Sequence, residues 1–187
     1  MTYFKKIIGE KCYLSPMSLD DAEKFTSWLN DLEISKGMIF SSQIISVEAE
    51  RQIIKSFSES KDYVLAIVDK NNNTLLGCCG LHSINHLVQS AKLSIFIGEI
   101  SNHGKGIGTE ATRLLCDFGF NILNLHNIIL SVYEYNQNAV RCYEKAGFKV
   151  IGRRREAQPI AGKRYDVVLM DILASEFESP FVKKFFD

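Results

Sequence analysis

The chain has no surplus charge of either sign: Lys plus Arg and Asp plus Glu number 22 each. A broad nucleic-acid footprint needs a basic surplus, so no nucleic-acid partner is expected. The one basic run, Arg153-Arg154-Arg155, reads as a solvated strand end. No stretch approaches the ~20 apolar residues of a membrane span, so no membrane partner is expected either. The five cysteines, Cys12, Cys78, Cys79, Cys116 and Cys142, form no Cys-x-x-Cys and no Cys/His cluster. A zinc site or other metal centre is therefore not expected. Met1 to Glu10 carries two lysines and no long apolar run, so no secretory signal is read there. An odd cysteine count without a signal points to reduced thiols and a cytoplasmic location. There is no internal repeat, low-complexity block or linker. With 187 residues, 46% of them hydrophobic, the chain suits a single domain over 1–187, with a core of about 11–173 and a short tail over 174–187.

What the chain does have is one stretch around which the rest is organised. Leu93 to Gly98 is apolar and β-branched and ends at Glu99. Ser101-Asn102-His103-Gly104-Lys105-Gly106-Ile107-Gly108-Thr109-Glu110 follows as a glycine turn opening a helix to about Leu123. Ile107, Ala111, Leu114, Leu115, Phe118 and Ile122 lie on one face of that helix. Glycines let backbone N–H groups turn toward a ligand, and a helix N-terminus adds unpaired N–H groups and partial positive charge. The expected guest is a phosphate or pyrophosphate. A dinucleotide fingerprint would need glycine where Thr109 stands, and the Gly-Lys-Ser/Thr ending of a P-loop is missing. A plain tight turn before a core helix would leave the same glycines.

In chain order, Lys11–Ser15 reads as a strand broken by Pro16, and Ser18 caps a helix carrying Ala22, Phe25, Trp28 and Leu29 to about Asn30. Trp28 reads as a core anchor. Residues 31–46 show no period and are either a loop over a site or a connector. Ser46 starts a helix to about Phe57. Asp62–Val68 and Thr74–Leu81 form a hairpin, and Ser83–Ser90 reads as a polar connector to the strand Ala91–Gly98. Asn127–Tyr133 is a strand, and a helix from Asn136 ends at Gly147. Phe148–Gly152 and Arg164–Leu173 complete the sheet, and the tail from Ala174 is a short helix or frayed. The order implies a mixed α/β sheet with helices on both faces.

Two motifs then read together: Gly104-Lys105-Gly106-Ile107-Gly108-Thr109-Glu110-Ala111, and Asn136-x-x-Ala139-x-x-x-Tyr143-x-x-x-Gly147-Phe148. Their order and spacing resemble the GNAT N-acetyltransferase superfamily, in its branch of ribosomal-protein N-terminal and spermidine acetyltransferases. The resemblance covers the chain from Leu14 to Leu173. It implies a mostly antiparallel seven-stranded sheet with splayed central strands, and acetyl-CoA as co-substrate lying between them. It also implies that the backbone of Phe96, Ile97 and Gly98 pairs with the pantetheine arm. The N–H groups from about His103 through Gly104, Lys105, Gly106, Ile107, Gly108 and Thr109 would hold the pyrophosphate. Asn136 would bond the pantetheine or neighbouring backbone, and Tyr143 would stand near the CoA sulfur as general acid. His103 departs from the family pattern, which has Gln or Arg there; Lys105 is the nearby cation that compensates.

The implied reaction is direct acetyl transfer to a primary amine, with no acetyl-enzyme. A lysine-like amine has a pKa of about 10.4 in water, so a base is needed. Glu99, at the strand end, is the first candidate base and His82 the second; His86 and His126 have less claim on position. A backbone N–H near Ile97 is the expected oxyanion donor. The acceptor is left open between a protein N-terminus, a polyamine and another small amine. Asp31, Glu33, Glu48 and Glu50 suit a polyamine, whereas Arg153–Arg155 with Tyr165 would suit an amino-sugar nucleotide. The alternative from another class is a catalytically silent CoA-binding sensor, against which Tyr143 argues. Symmetric homodimers are common among small enzymes of this kind, but the chain carries no interface signal.

Overall fold

The computed structural model describes residues 3–38 and 41–186. Parts of three expectations lie outside them: Met1 and Thr2 of the N-terminal segment, Ile39 and Phe40 of the stretch without period, and Asp187 of the tail. An eight-stranded sheet runs in the order β1-β2-β3-β4-β5-β6-β8-β7. Its strands are β1 (Ile7–Ile8), β2 (Cys12–Pro16), β3 (Tyr63–Asp69), β4 (Leu75–Asn85), β5 (Ser90–Ile97), β6 (Asn127–Tyr133), β7 (Lys149–Ile160) and β8 (Lys163–Leu173). The helices are α1 (Ala22–Leu29), α2 (Leu32–Ser35), α3 (Val47–Glu59), α4 (Ile107–Asn121) and α5 (Gln137–Ala146).

Side chains alternate across the strands and so build two cores. Leu14, Ile67, Leu81, Ala91 and Leu93 point to the face covered by α4 and α5. Tyr13, Ala66, Val68, Leu75 and Phe96 point to the other face, covered by α1 and α3 through Phe25, Trp28 and Ile54. Hydroxyls set the helix starts. Ser18 accepts from the Asp20 N–H at 3.3 Å and opens a 3₁₀ turn leading into α1, and Ser46 accepts from the Ala49 N–H at 3.2 Å at the start of α3.

Every strand pairing is antiparallel except β5–β6. That parallel pairing covers Ser90↔Asn127, Ala91↔Ile128 and Lys92↔Ile129, and then stops. From Leu93 onward β5 keeps only β4, and from Leu130 onward β6 keeps only β8. A V therefore opens between them in mid-sheet, toward the glycine turn.

The sheet has one strand more than the seven expected. The extra strand is β1, which pairs Ile7↔Leu14 and Ile8↔Tyr13 and is too short to show alternation. Pro16 does not break β2 but ends it, paired with Leu65. Ser83–Asn85 belongs to β4 rather than to a connector. β7 runs to Ile160, well past Gly152, with its side chains mostly in solvent. The tail holds two short 3₁₀ turns, Ala174–Glu176 and Lys183–Phe185, rather than fraying. The fully buried Asp117 of α4 accepts from the N–H groups of Phe181 and Val182 at 2.8 and 3.1 Å and from the Ser179 hydroxyl, and Val182 is buried.

Candidate active site

The glycine turn behaves as its composition requires. Gly104 and Gly106 have φ of 75° and 82°, a left-handed conformation that a Cβ would strain. Gly106 caps α4, and the first helical bond runs from the Glu110 N–H back to the Gly106 carbonyl at 3.0 Å. Among the described residues, the N–H groups of Gly104, Lys105, Gly106, Ile107, Gly108 and Thr109 have no acceptor. His103 stands apart, because its N–H is taken by the Ile100 carbonyl at 2.9 Å. Gly108 is glycine for contact: a Cβ there would lie 3.2 Å from the Cys142 Sγ of α5.

Two residues that sequence reading passed over support this turn. The Glu110 carboxylate accepts from the N–H groups of Glu10, Lys11 and Cys12 at 2.7, 2.8 and 2.9 Å. It thereby clasps the β1–β2 turn to the first turn of α4. Lys11 donates its Nζ to the Lys105 carbonyl at 2.7 Å and lies 2.9 Å from where a Gly106 Cβ would be. It brings a cation to the turn, alongside the exposed Lys105. Bare N–H groups, a helix N-terminus and this cation together fit a pyrophosphate.

The wall of the V is built of Phe96, Ile97 and Gly98. Phe96 is buried against Phe25 and Trp28, with ring centroids 6.5 and 5.9 Å away. A Cβ on Gly98 would fall 2.2 Å from the Trp28 indole, so α1 needs glycine there. The Gly98 N–H faces β4, donating to the Leu76 carbonyl at 2.8 Å, whereas on the open edge the Ile97 carbonyl already accepts from His103 Nε2 at 3.1 Å.

On the α4–α5 face, Asn136 caps α5, its Oδ1 accepting from the Ala139 N–H at 3.2 Å. Its Nδ2 lies 2.4 Å from where a Gly37 Cβ would be, so α5 starts against the segment after α2. Tyr143 is 7% exposed, packed at 6.0 Å on the Phe148 ring. Its hydroxyl has no hydrogen-bond partner among the described residues, and burial pushes the phenol well above its ordinary value. It is a protonated donor at neutral pH.

The candidate bases have different surroundings. Glu99 is half-exposed and ion-paired to Lys24, whose ammonium lies 5.1 Å from the Trp28 ring centre. His82 lies between two groups: Nδ1 is 3.2 Å from Asp62 Oδ2, and Nε2 is 2.7 Å from Ser94 Oγ. Neither Asp62 nor Ser94 was singled out from sequence. The signal was the hairpin register, which sets His82 opposite Lys92. His86 and His126 are exposed. On the α1–α3 side, Asp31 caps α2 and Glu33 follows it, while Glu50 of α3 is 4% exposed with Oε2 unpartnered among the described residues. Burial raises the Glu50 carboxyl, and burial first, with the Glu50 charge adding to it, pushes the Cys78 thiol on β4 up to about 12.

A sheet splayed in the middle, with an anion-binding turn at the mouth of the opening and a buried phenol beside it, defines a CoA-dependent acyltransferase fold. A family model for the acetyltransferase (GNAT) domain matches residues 11–149, and the chain belongs to that family. It is 32% identical over 178 residues to the probable N-acetyltransferase YjcK of Bacillus subtilis, covering 91% of this chain and 98% of that one. It is 36% identical over 111 residues to the spermidine N(1)-acetyltransferase of Vibrio cholerae, covering 59% and 64%. The crystal structure of spermidine N-acetyltransferase from Vibrio cholerae in complex with CoA and spermine superposes with a TM-score of 0.80 at 26% identity, covering 90% and 98%. The protein is an N-acetyltransferase that moves an acetyl group from acetyl-CoA to an amine.

Proposed function

We propose that the acceptor is a small primary amine carrying further positive charge, a polyamine being the reference case. The carrying observation is Glu50 of α3, whose buried Oε2 has no partner among the described residues and lies within electrostatic reach of Cys78 opposite Phe96. A buried carboxylate without a partner is costly, and an ammonium group removes that cost. The spermidine acetyltransferases named above support the same class.

In this reading acetyl-CoA supplies the activated acetyl group, and the chain does the rest. The N–H groups of Gly104 to Thr109 hold the pyrophosphate, with Lys11 adding charge. The edge of β5 over Phe96 to Gly98 lines the arm, with a backbone N–H near Ile97 facing the developing oxyanion. Asn136 fixes the start of α5. Tyr143 on that helix donates a hydrogen bond to the leaving sulfur from the α4–α5 face. The amine arrives from the α1–α3 face, and its proton goes to Glu99 or His82. A homodimer in the cytoplasm remains part of the proposal.

The test is thiol release from acetyl-CoA with spermidine, spermine, n-butylamine and a short peptide. Preference for the polyamines is the expected result; equal or better use of the peptide overturns this acceptor class. Thermal melting with acetyl-CoA checks the cradle: ligand at ~100 times its dissociation constant adds about 2.7 kcal/mol.

A further inference from the structure

We propose that His82 is the general base of the transfer, working through the Ser94 hydroxyl and held in place by Asp62. The inference rests on acetyl transfer to an amine and not on which amine is used.

The three side chains form a chain of fixed direction. A carboxylate only accepts, so the Asp62 Oδ2 at 3.2 Å holds a proton on His82 Nδ1. Nε2 then carries the lone pair and accepts from the Ser94 hydroxyl at 2.7 Å. Both lone pairs of Ser94 Oγ are without a donor among the described residues and can receive a proton. The site is built rather than incidental. Asp62 Oδ1 also accepts the Ser83 N–H at 3.0 Å, and Ser83 is in a left-handed conformation, φ 52°, right after the histidine. Gly80 lies beside the ring: a Cβ there would come 2.7 Å from Nε2. The charged neighbours that the hydrogen bonds and the register give the ring are Asp62 before β3 and Lys92, its strand partner on β5 and hence on the same face. The Tyr63 ring of β3 turns to the opposite face, against Phe118.

Position supports the assignment. Ser94 and Phe96 share the α1–α3 face of β5, and Ser94 lies in the part of the strand that β6 has left. At about 3.3 Å per residue, the Ser94 hydroxyl is about 7 Å along the strand from the wall of the V at Phe96. An amine nitrogen between the two would reach the hydroxyl directly or through one water. Glu99, by contrast, is already occupied by Lys24.

The protons balance as follows. The acceptor ammonium gives one proton to Ser94 Oγ as the serine proton passes to His82 Nε2, leaving a neutral amine and an imidazolium paired with Asp62. The amine nitrogen forms the C–N bond, the C–S bond breaks, and the sulfur takes a proton from Tyr143. The tyrosine is restored by the second proton lost from nitrogen. His82 then releases its proton to solvent, so each turnover yields amide, CoA thiol and one proton.

The experiment compares His82→Gln, Ser94→Ala, Asp62→Asn and Glu99→Gln with the wild type at about pH 7. The acceptors are spermidine and methoxyamine, the second of which is already neutral and needs no base. His82→Gln is expected to lower kcat with spermidine ~10²-fold, in the range of a lost general base, with KM for acetyl-CoA unchanged. Its loss with methoxyamine should stay within a few-fold. Ser94→Ala should show the same amine-dependent pattern at smaller size. Because that hydroxyl is exposed, this variant carries the test if His82→Gln does not fold. Equal losses with both amines, an unaffected Ser94→Ala enzyme, or the amine-dependent pattern in Glu99→Gln alone would each overturn the assignment. A wild type that acetylates neither amine overturns the transfer reading and the base with it. Transfer to methoxyamine without transfer to spermidine overturns the acceptor class alone, and the basic primary amine the enzyme does use then replaces spermidine.

Discussion

Tyr143 is buried, protonated and without a hydrogen-bond partner among the described residues, which is what a donor reserved for the leaving sulfur requires. Tyr143→Phe should lower kcat by about 10²-fold with little change in KM for acetyl-CoA, measured by steady-state thiol release. Glu50 makes a prediction of opposite kind. Burial raises its carboxyl, so between the ordinary carboxylate value, about 4.3, and the raised one the folded chain binds more protons than the unfolded chain. Stability from this group therefore falls as pH rises through that window. Glu50→Gln should melt higher than the wild type at neutral pH, with the advantage vanishing below about pH 4. If the variant also binds polyamine less well, one carboxylate is shown to trade stability for recognition. Tyr143 and Asn136 were legible in the sequence because their spacing to Gly147 lies within one helix. Asp62 and Ser94 were not, because only the folding of two hairpins brings 62, 82 and 94 together. Asn136 shows a finer limit: its spacing marks the residue, but only the fold shows Oδ1 capping α5 while Nδ2 meets the Gly37 segment.

At the scale of elements, the glycine turn and the β1–β2 turn act as one unit. Glu110→Ala removes the acceptor of three backbone N–H groups, so the hairpin end should loosen and the cradle with it. The expected readout is faster amide exchange at Glu10, Lys11 and Cys12 and a raised KM for acetyl-CoA at similar kcat. Gly106→Ala forces a Cβ into the left-handed region and should cost about 1–2 kcal/mol by denaturant melts. β6 and α5 follow the sequence reading closely because each buries one face, and β3, buried on both, is marked by its apolar run instead. β7 does not. Its residues from Arg153 onward are mostly exposed and charged, so no alternation marks them, and pairing with β8 alone makes them a strand. β1 is invisible for a related reason: two residues carry no period.

At the scale of the whole molecule, the tail docks on α4 through Asp117, with Val182 in the core beneath that helix. Asp117→Ala leaves the N–H groups of Phe181 and Val182 without their acceptor, which should cost about 2–3 kcal/mol and expose the segment after Leu173 to limited proteolysis. The parallel pairing that ends at Lys92 has a wider consequence. Because β5 and β6 part there, the sheet acts as a partition with traffic on both sides. In the proposed mechanism one helical layer, with α4 and α5, receives the nucleotide and protonates the sulfur, and the other, with α1, α2 and α3, admits the nucleophile and drains its proton. The two compartments meet only at the slit. Residues on the α1–α3 side can therefore be exchanged to admit a different guest while the pyrophosphate turn stays untouched. Grafting that layer from a relative with another acceptor should redirect specificity and leave affinity for acetyl-CoA where it was.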